Sequence, residues 1–135
     1  MTAVHALWTP GTIVQPHEFT ADEIDLFRFS AVTWNAHRIH YDRARAEAEG
    51  LRGPVVQAHL HGAWLGQVAR SIGGSGARLK TLSWQNRAPV VAGERVEVRG
   101  TVESVDGDVV RLSLTEVGDD GGTRVEGSAS VEVRA

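Results

Sequence analysis

The amino-acid sequence predicts an α+β domain in which an antiparallel sheet of about five strands wraps around one long central helix. Three observations support this fold class. Apolar residues between positions 55 and 72 recur at intervals of four, as on the buried face of a helix. From residue 77 onward the apolar period changes to two, which is typical of strands with one buried face. No long Pro/Gly/Ser-rich linker separates the two halves, so residues 1–135 are expected to form a single domain.

The first part of the chain is expected to contain one strand and one helix. Residues 12–19 are interpreted as a short strand. Thr20 and Glu23 have the spacing of a capping box, which predicts a helix that stops near Ser30. The inner face of this helix is expected to carry Ile24, Phe27 and Ala31.

A second, short helix is expected after Asp42, which has the side chain of a helix N-cap. It would cover residues 43–49 and end at Gly50, where a left-handed backbone is favourable. After the Gly53-Pro54 turn, residues 55–72 are predicted to form the central helix, with an apolar stripe of Leu60, Trp64, Val68 and Ile72. The glycine-rich run at 73–76 is interpreted as the exit from this helix rather than as a phosphate-binding loop.

Four further strands are predicted around residues 79–83, 96–100, 110–114 and 125–133, each with period-two alternation. Residues 89–94, 106–108 and 118–122 lie between them and have the composition of turns. Such a sheet covers its apolar face with the long helix and leaves an exposed edge strand. Pairing with a second copy would cover that edge, so a dimer is expected.

Composition and charge exclude several classes of function. The net charge is −3 and basic residues are scattered, so nucleic acid and anionic membrane surfaces are not expected partners. No apolar run approaches the ~20 residues needed to span a bilayer, and no secretory signal is visible at the start. The absence of cysteine excludes thiolate chemistry and fits a reducing compartment. A soluble, cytoplasmic protein is therefore expected.

The segment from residue 29 to 42 carries most of the candidate chemistry. Asn35, His37, Arg38 and His40 lie within six residues, between two predicted helices. Histidine is the side chain whose ordinary pKa lies nearest neutrality, so an imidazole can both take and return a proton. His40 is the candidate acid/base. Asn35 does not titrate but can hold a water molecule, His37 is a candidate assistant, and Arg38 can contact a carbonyl or a nearby carboxylate.

This segment resembles the MaoC-like hydratases and dehydratases, whose motif runs Gly-Asp-x-Asn-Pro-x-His. His40 matches the motif's histidine, whereas Asn35 falls on its aspartate, His37 on its asparagine and Arg38 on its proline. The string Phe-Ser-x-x-Thr-x-Asn-x-His-Arg-Ile-His-Tyr-Asp is similar to a subgroup that includes the mitochondrial 3-hydroxyacyl-thioester dehydratases and the mesaconyl-C4-CoA hydratases. The resemblance covers residues 13–133 and is strong over residues 27–60. It implies a hotdog fold and acid/base chemistry on an enoyl thioester.

A second string of the same subgroup, Gly-Leu-Val-Val-His-Gly-Pro-Leu, has a counterpart at residues 53–60. Here Gln57 replaces the histidine and Ala58 replaces the glycine. Hydration of a thioester builds negative charge on the carbonyl oxygen, and the free N–H groups at a helix amino end have the polarity to stabilise it. The resemblance implies that the turn near Gln57, Ala58 and His59 binds the substrate in this way.

Other roles for these residues stay open. His37 and His40 have the spacing of two metal ligands, but no third ligand accompanies them, so no metal and no cofactor are expected. His59 and His61 are expected to pack within the central helix rather than to catalyse. Arg38 and Arg87 fit structural ion pairs better than substrate contacts. Trp34, Trp64 and Trp84 are expected to be core aromatics rather than an acyl-binding cage.

The leading functional hypothesis is reversible hydration of a 2-enoyl thioester, carried by CoA or by an acyl carrier protein. Thioester hydrolysis is a second hypothesis, but residues 55–72 contain neither Asp nor Glu to act as base. A third hypothesis is a non-catalytic subunit that completes a heterodimer, because Asn35, Gln57 and Ala58 depart from the motif. The chain is thus expected to act as a homodimer or beside another hotdog chain.

Overall fold

In the computed structural model, which describes residues 7–134, five strands form one antiparallel sheet. The sheet order is β1-β3-β4-β5-β2, with bounds β1 (Ile13–Thr20), β2 (Ala77–Asn86), β3 (Arg95–Asp106), β4 (Val109–Gly118) and β5 (Thr123–Val133). All five strands were predicted from the sequence, β1 as a short strand at residues 12–19 and the other four from their period-two segments. β1 and β2 lie at the edges of the sheet, each with one neighbouring strand.

Three α-helices follow β1 in the described residues, namely α1 (Glu23–Thr33), α2 (Arg43–Ala48) and α3 (Ala58–Ser71), and α3 contacts all five strands of the sheet. α3 is the central helix, and its side chains Leu65, Val68 and Ala69 are fully buried against the sheet. It begins three residues later than predicted, because Val55 is extended and forms a β-bridge with Val91. None of the helices within residues 7–134 is long and apolar enough to cross a membrane.

The structure corrects the prediction for α1 in three respects. The N-cap is Asp22, whose carboxylate accepts from the Asp25 N–H at 2.8 Å while Asp25 accepts from the Asp22 N–H at 3.0 Å. This reciprocal pair replaces the expected Thr20–Glu23 box, because an aspartate serves as an N-cap as well as a threonine does. The inner face carries the buried residues Leu26 and Ser30, whereas the residues predicted there are exposed, namely Ile24, Phe27 and Ala31. The helix also continues beyond Ser30 to Thr33.

The tryptophans have different environments. Trp64 lies in the core, as predicted, and stacks on Phe19 with ring centroids 5.3 Å apart. Trp34 is 94% exposed, so its assignment to the core was wrong. It is the C-cap of α1 with φ +56°, and a left-handed residue directs the chain and its side chain away from the helix.

Trp84 is half-buried and joins β2 to the first turn of α3. Its indole N–H donates to the Ala58 carbonyl at 3.0 Å. Gly62 lies directly below the ring: a Cβ at that position would come within 2.5 Å of the Trp84 Cζ2 atom. The close approach of Gly62 therefore lets one edge strand fix the amino end of the central helix.

The segment between α1 and α3 follows the sequence predictions closely. Asp42 caps α2 by accepting from the Arg45 N–H at 3.2 Å, and Gly50 after the helix has φ +85°. A short 3-10 turn, Arg38–His40, precedes α2, and a second 3-10 turn, Gly74–Gly76, links α3 to β2. These short elements place residues 35–40 beside the start of α3.

Candidate active site

One cavity, of about 440 Å³, lies between the loop after α1, the start of α3 and the end of β2. Because it opens next to the amino end of the buried helix, a ligand in it would lie beside the first N–H groups of α3. The residues that matter for its chemistry are Asn35, His40, Val55, Ala58, His61 and Arg87.

His40 ends the 3-10 turn and is buried, with 7% of its surface exposed. Its Nδ1 lies 2.7 Å from the carbonyl oxygen of Val55. A carbonyl can only accept, so the proton of a neutral His40 ring is on Nδ1 and the lone pair is on Nε2. Burial lowers the pKa of His40 below 6.5, although the bond to Val55 opposes this shift, and the charge on His37 lowers it further. The neutral ring is therefore favoured at neutral pH, and its Nε2 is suited to act as a base.

Asn35 lines the same cavity and is half-buried. Its Oδ1 accepts from the backbone N–H of His37 at 3.3 Å, which fixes the orientation of the amide. An amide cannot exchange a proton at neutral pH, but it can both donate to and accept from a water molecule. The structure therefore brings Asn35 and His40 together at one wall of the cavity.

His37 and Arg38 lie on the outer side of this segment and are exposed. The Nδ1 of His37 accepts from the Ile39 N–H at 3.4 Å, and its ring meets that of His40 edge-on at 6.0 Å. Arg38 donates to the Asp42 carboxylate at 2.6 Å. This pairing raises the pKa of Arg38 and lowers that of Asp42. Arg38 thus makes the loop ion pair foreseen as its structural role and is not among the residues that line the cavity.

The amino end of α3 contributes backbone N–H groups. Ala58, its first residue, lines the cavity, and the N-cap Gln57 makes no side-chain capping bond. The first N–H groups of any helix lack an intrahelical acceptor and carry a partial positive charge. An anionic oxygen in the cavity would therefore find donors in the Ala58–His59 turn.

The side chains of Gln57 and His59 point elsewhere. Gln57 is fully buried, and its amide donates to the Leu26 carbonyl at 2.7 Å and to the Ser30 hydroxyl at 2.9 Å, which ties α3 to α1. His59 is exposed and packs edge-on against Trp84 at 5.9 Å, in a separate groove. Of the three residues predicted at this turn, Ala58 lines the cavity, whereas Gln57 and His59 do not.

Sequence reasoning missed a buried pair formed by His61 and Glu116. The Nδ1 of His61 lies 2.7 Å from the Oε1 of Glu116, and the two side chains are 3% and 0% exposed. His61 lines the cavity from α3, while Glu116 reaches the helix from β4. A signal was present: Glu116 continues the period-two series of Val110, Leu112 and Leu114, at a position where the pattern requires an apolar residue.

Arg87 lies at the cavity rim and makes the structural ion pair that was expected for it. Its guanidinium is 3.0 Å from the Glu126 carboxylate, with both side chains about half exposed. Within residues 7–134, no group of three or more His, Cys, Asp or Glu side chains is placed to hold a metal ion. The cavity therefore offers the imidazoles of His40 and His61, the amides of Asn35 and Asn86, and the amino end of α3.

The fold defines the structural class of this protein. A five-stranded antiparallel sheet around a long central helix is the hotdog fold, and solved structures of other proteins share it. The chain matches R-hydratase PhaJ1 of Pseudomonas aeruginosa with TM-score 0.87 and 21% identity, covering 96% of this chain and 84% of that one. It matches the ChsH1-ChsH2 complex of Mycobacterium tuberculosis with TM-score 0.86 and 17% identity, covering 93% of this chain and 98% of that one. At these identities the likeness concerns the fold.

The family follows from the sequence comparisons. Residues 9–92 match the family described as hydroxyacyl-thioester dehydratase type 2, and the chain belongs to this family. A curated relative, the mesaconyl-C(4)-CoA hydratase of Chloroflexus aurantiacus, is 40% identical over 111 residues, which is 80% of this chain. The chain spans 36% of the length of that relative. The family and the hotdog fold implied by the sequence are thus confirmed.

Proposed function

We propose that this chain is a hydro-lyase that reversibly adds water to a 2-enoyl thioester, giving the 3-hydroxyacyl thioester. The observation that carries the proposal is the buried imidazole of His40, which is held through Nδ1 by Val55 and lines a cavity that also receives the amino end of α3. Removal of a proton from water and stabilisation of an enolate oxygen are two of the tasks of this reaction, and the cavity has a group for each.

In this reaction His40 takes a proton from the attacking water, which Asn35 holds through its amide. The negative charge that develops on the thioester oxygen is stabilised by the N–H groups of the Ala58–His59 turn. His37 stays outside the cavity and acts on His40 through its charge. The handle of the substrate is CoA or an acyl carrier protein, and the name of the curated relative makes a CoA thioester of a branched, unsaturated acid one candidate.

The experiment is a hydration assay on the purified chain with crotonyl-CoA, longer 2-enoyl-CoA thioesters and mesaconyl-C4-CoA. Loss of the enoyl absorbance without release of free thiol is the expected result. His40→Ala should lower kcat by about 100-fold or more, because a positioned acid/base contributes on the order of 10²–10⁴ in rate. His17→Gln is the matched control: it removes an imidazole from β1, away from the cavity, and should leave kcat unchanged. Unchanged turnover in His40→Ala would contradict the site.

Thioester hydrolysis is a second candidate, and Glu116 favours it. α3 itself carries no acidic residue, but Glu116 brings a carboxylate to the helix from β4. That carboxylate is fully buried behind His61, so it would have to act through the imidazole. Release of free thiol in the same assay would support hydrolysis, and turnover of neither kind would support a non-catalytic subunit.

We further propose that the chain works beside a second hotdog domain, either another copy or a different chain. β1 and β2 leave backbone hydrogen-bonding groups at the two edges of the sheet, which a partner strand would satisfy. The solved ChsH1-ChsH2 structure is itself a complex of two named chains. Sedimentation of the purified chain should give twice the mass of one chain. A monomer that becomes active only when another hotdog chain is added would support the heteromeric form.

A further inference from the structure

The buried pair of His61 and Glu116 is not used by the proposed function, and its surroundings make it unusual. On β4, Glu116 is paired with Val98 of β3 and Val125 of β5, and both valines are fully buried. The carboxylate is thus enclosed by apolar side chains, with His61 as its polar contact. Its second oxygen, Oε2, is buried and has no hydrogen-bond partner among the described residues.

Stability does not explain this arrangement. Removing a carboxylate from water costs several kcal/mol, and a buried ion pair is often no more stable than apolar residues of similar volume. An oxygen that remains without a donor adds to that cost. A leucine at position 116 would continue the core face formed by Leu112 and Leu114. The pair is therefore better explained by what His61 does at the cavity.

The chemistry of hydration leaves a task for a second group. One proton must leave water and another must reach C2, and His40 supplies a base for the first step. Asn35 lines the cavity but cannot supply a proton. His61 lines the same cavity, and because its Nδ1 is engaged by Glu116, its Nε2 is the nitrogen left for proton exchange.

We propose that His61 is a second catalytic residue, which delivers the proton to C2, and that Glu116 is its positioning residue; this inference rests on the proposed hydratase function. The Glu116 carboxylate fixes the orientation of the ring and offsets the positive charge of the imidazolium, as a buried carboxylate does for the histidine of a Ser-His-Asp triad.

The step balances without any other reactant. His40 Nε2 takes a proton from water as the water oxygen bonds to C3, and the C2–C3 π electrons move toward the thioester carbonyl to give an enolate. His61, protonated on both nitrogens, then gives its Nε2 proton to C2, and the enolate electrons form the new C–H bond. His61 keeps the Nδ1 proton that it shares with Glu116. The proton on His40 returns to His61 through water, so one water is consumed.

The test compares steady-state kinetics of His61→Gln, Glu116→Gln, Glu116→Asp and the double Gln variant with those of the unchanged chain. His61→Gln should lower kcat by about 100-fold or more and leave KM within about threefold. Glu116→Gln should lower kcat by about 10- to 100-fold, and Glu116→Asp, which keeps the charge, should retain more activity.

The double variant should be no slower than His61→Gln alone, because the effects of residues that act as a unit are not additive. Glu103→Gln, on the exposed face of β3, is the matched control.

A second readout separates catalysis from structure. In D₂O, the unchanged chain should place deuterium on one face of C2, whereas the residual product of His61→Gln should carry it on both faces, which NMR of the product detects. Circular dichroism melting identifies variants that do not fold, and His61→Asn then replaces His61→Gln. An unchanged chain without hydratase activity on the whole thioester panel would overturn both proposals. Hydration that depends on His40 but proceeds in folded His61→Gln with kcat within about fivefold would overturn this inference alone.

Discussion

The Nδ1 of His40 lies 2.7 Å from the carbonyl oxygen of Val55, and this one bond couples the base to the helix that faces it. Val55 belongs to the extended segment that leads into α3. The residues that orient the imidazole therefore also set the position of the helix amino end. A ligand between His40 and the amino end of α3 would contact a base on one side and N–H donors on the other. The distance between these groups is fixed because only residues 55–57 separate the His40 contact from the first residue of α3.

The environment of His40 predicts the pH dependence of activity. Burial lowers the pKa of His40 below 6.5, and the base must be unprotonated to accept a proton from water. The acid limb of kcat/KM should therefore have its midpoint below pH 6.5. The measurement is kcat/KM for crotonyl-CoA across pH 4.5–8, together with an NMR titration of the His40 ring. A midpoint above 6.5 would contradict this reading of the site.

The electrostatic effect of His37 contributes to the lowering of the His40 pKa. His37→Gln should move the midpoint toward the ordinary value of histidine, and only modestly, since burial is the larger cause. His37 is exposed, so its replacement should leave the fold intact, and the His17→Gln variant shows whether loss of any imidazole has this effect.

The His61–Glu116 pair predicts an order of stabilities that does not depend on activity. His61→Leu leaves a buried carboxylate without its donor and should lower the free energy of unfolding by about 3–5 kcal/mol. Glu116→Leu leaves a histidine ring that can be neutral, so its cost should be nearer 1–3 kcal/mol. Replacing both residues by leucine should be less destabilising than His61→Leu alone, because no charge is then buried. Urea unfolding followed by circular dichroism measures all three, and a double variant less stable than His61→Leu would contradict the account.

The central helix and the strands β3, β4 and β5 were predictable because one face of each is largely buried. Apolar residues mark this buried face in the sequence. They recur at intervals of two in residues 110–114 and at intervals of four from Leu60 to Ile72. α1 was predicted on the wrong face for an identifiable reason. Its two buried residues are Leu26 and Ser30, and Ser30 is buried because its hydroxyl accepts from Gln57 of another element. Apolar periodicity cannot identify the buried face of a helix when one of its buried residues is polar and packs through a hydrogen bond.

The sequence predicted only those residues of the candidate site that lie close together along the chain. Asn35 and His40 lie five residues apart, and the string around them carries the family resemblance. His61 and Glu116 are 55 positions apart and meet because β4 passes beneath α3. The acidic residue in an otherwise apolar strand face was the available signal, but its partner could not be identified without the sheet order.

The contact between Gly62 and Trp84 predicts that alanine destabilises this helix. Alanine normally stabilises a helix by about 1 kcal/mol relative to glycine, but a Cβ at position 62 would lie 2.5 Å from the Trp84 ring. Gly62→Ala should therefore lower the free energy of unfolding by about 1–3 kcal/mol through displacement of the ring. Gly66→Ala is the matched control, since its Cβ would meet side chains at 3.5 Å, an ordinary contact. It should be neutral or slightly stabilising in the same urea unfolding experiment, and equal losses in both variants would contradict the steric explanation.

A substitution at Asn35 tests whether a titrating side chain on another wall of the cavity can replace His61 as the second acid/base. Aspartate has the shape of asparagine, and its carboxylate can still accept from the His37 N–H, which now lies 3.3 Å from the Asn35 oxygen. Asn35→Asp places a titrating group at the cavity, so in the His61→Gln background it should raise kcat by about tenfold or more.

Asn86→Asp is the control, because Asn86 lines the same cavity and undergoes the same change in charge. A gain that is equal in the two double variants would reflect negative charge in the cavity alone, whereas a gain confined to position 35 requires a carboxylate beside His40. No gain at position 35 would mean that the proton for C2 cannot be delivered from that wall.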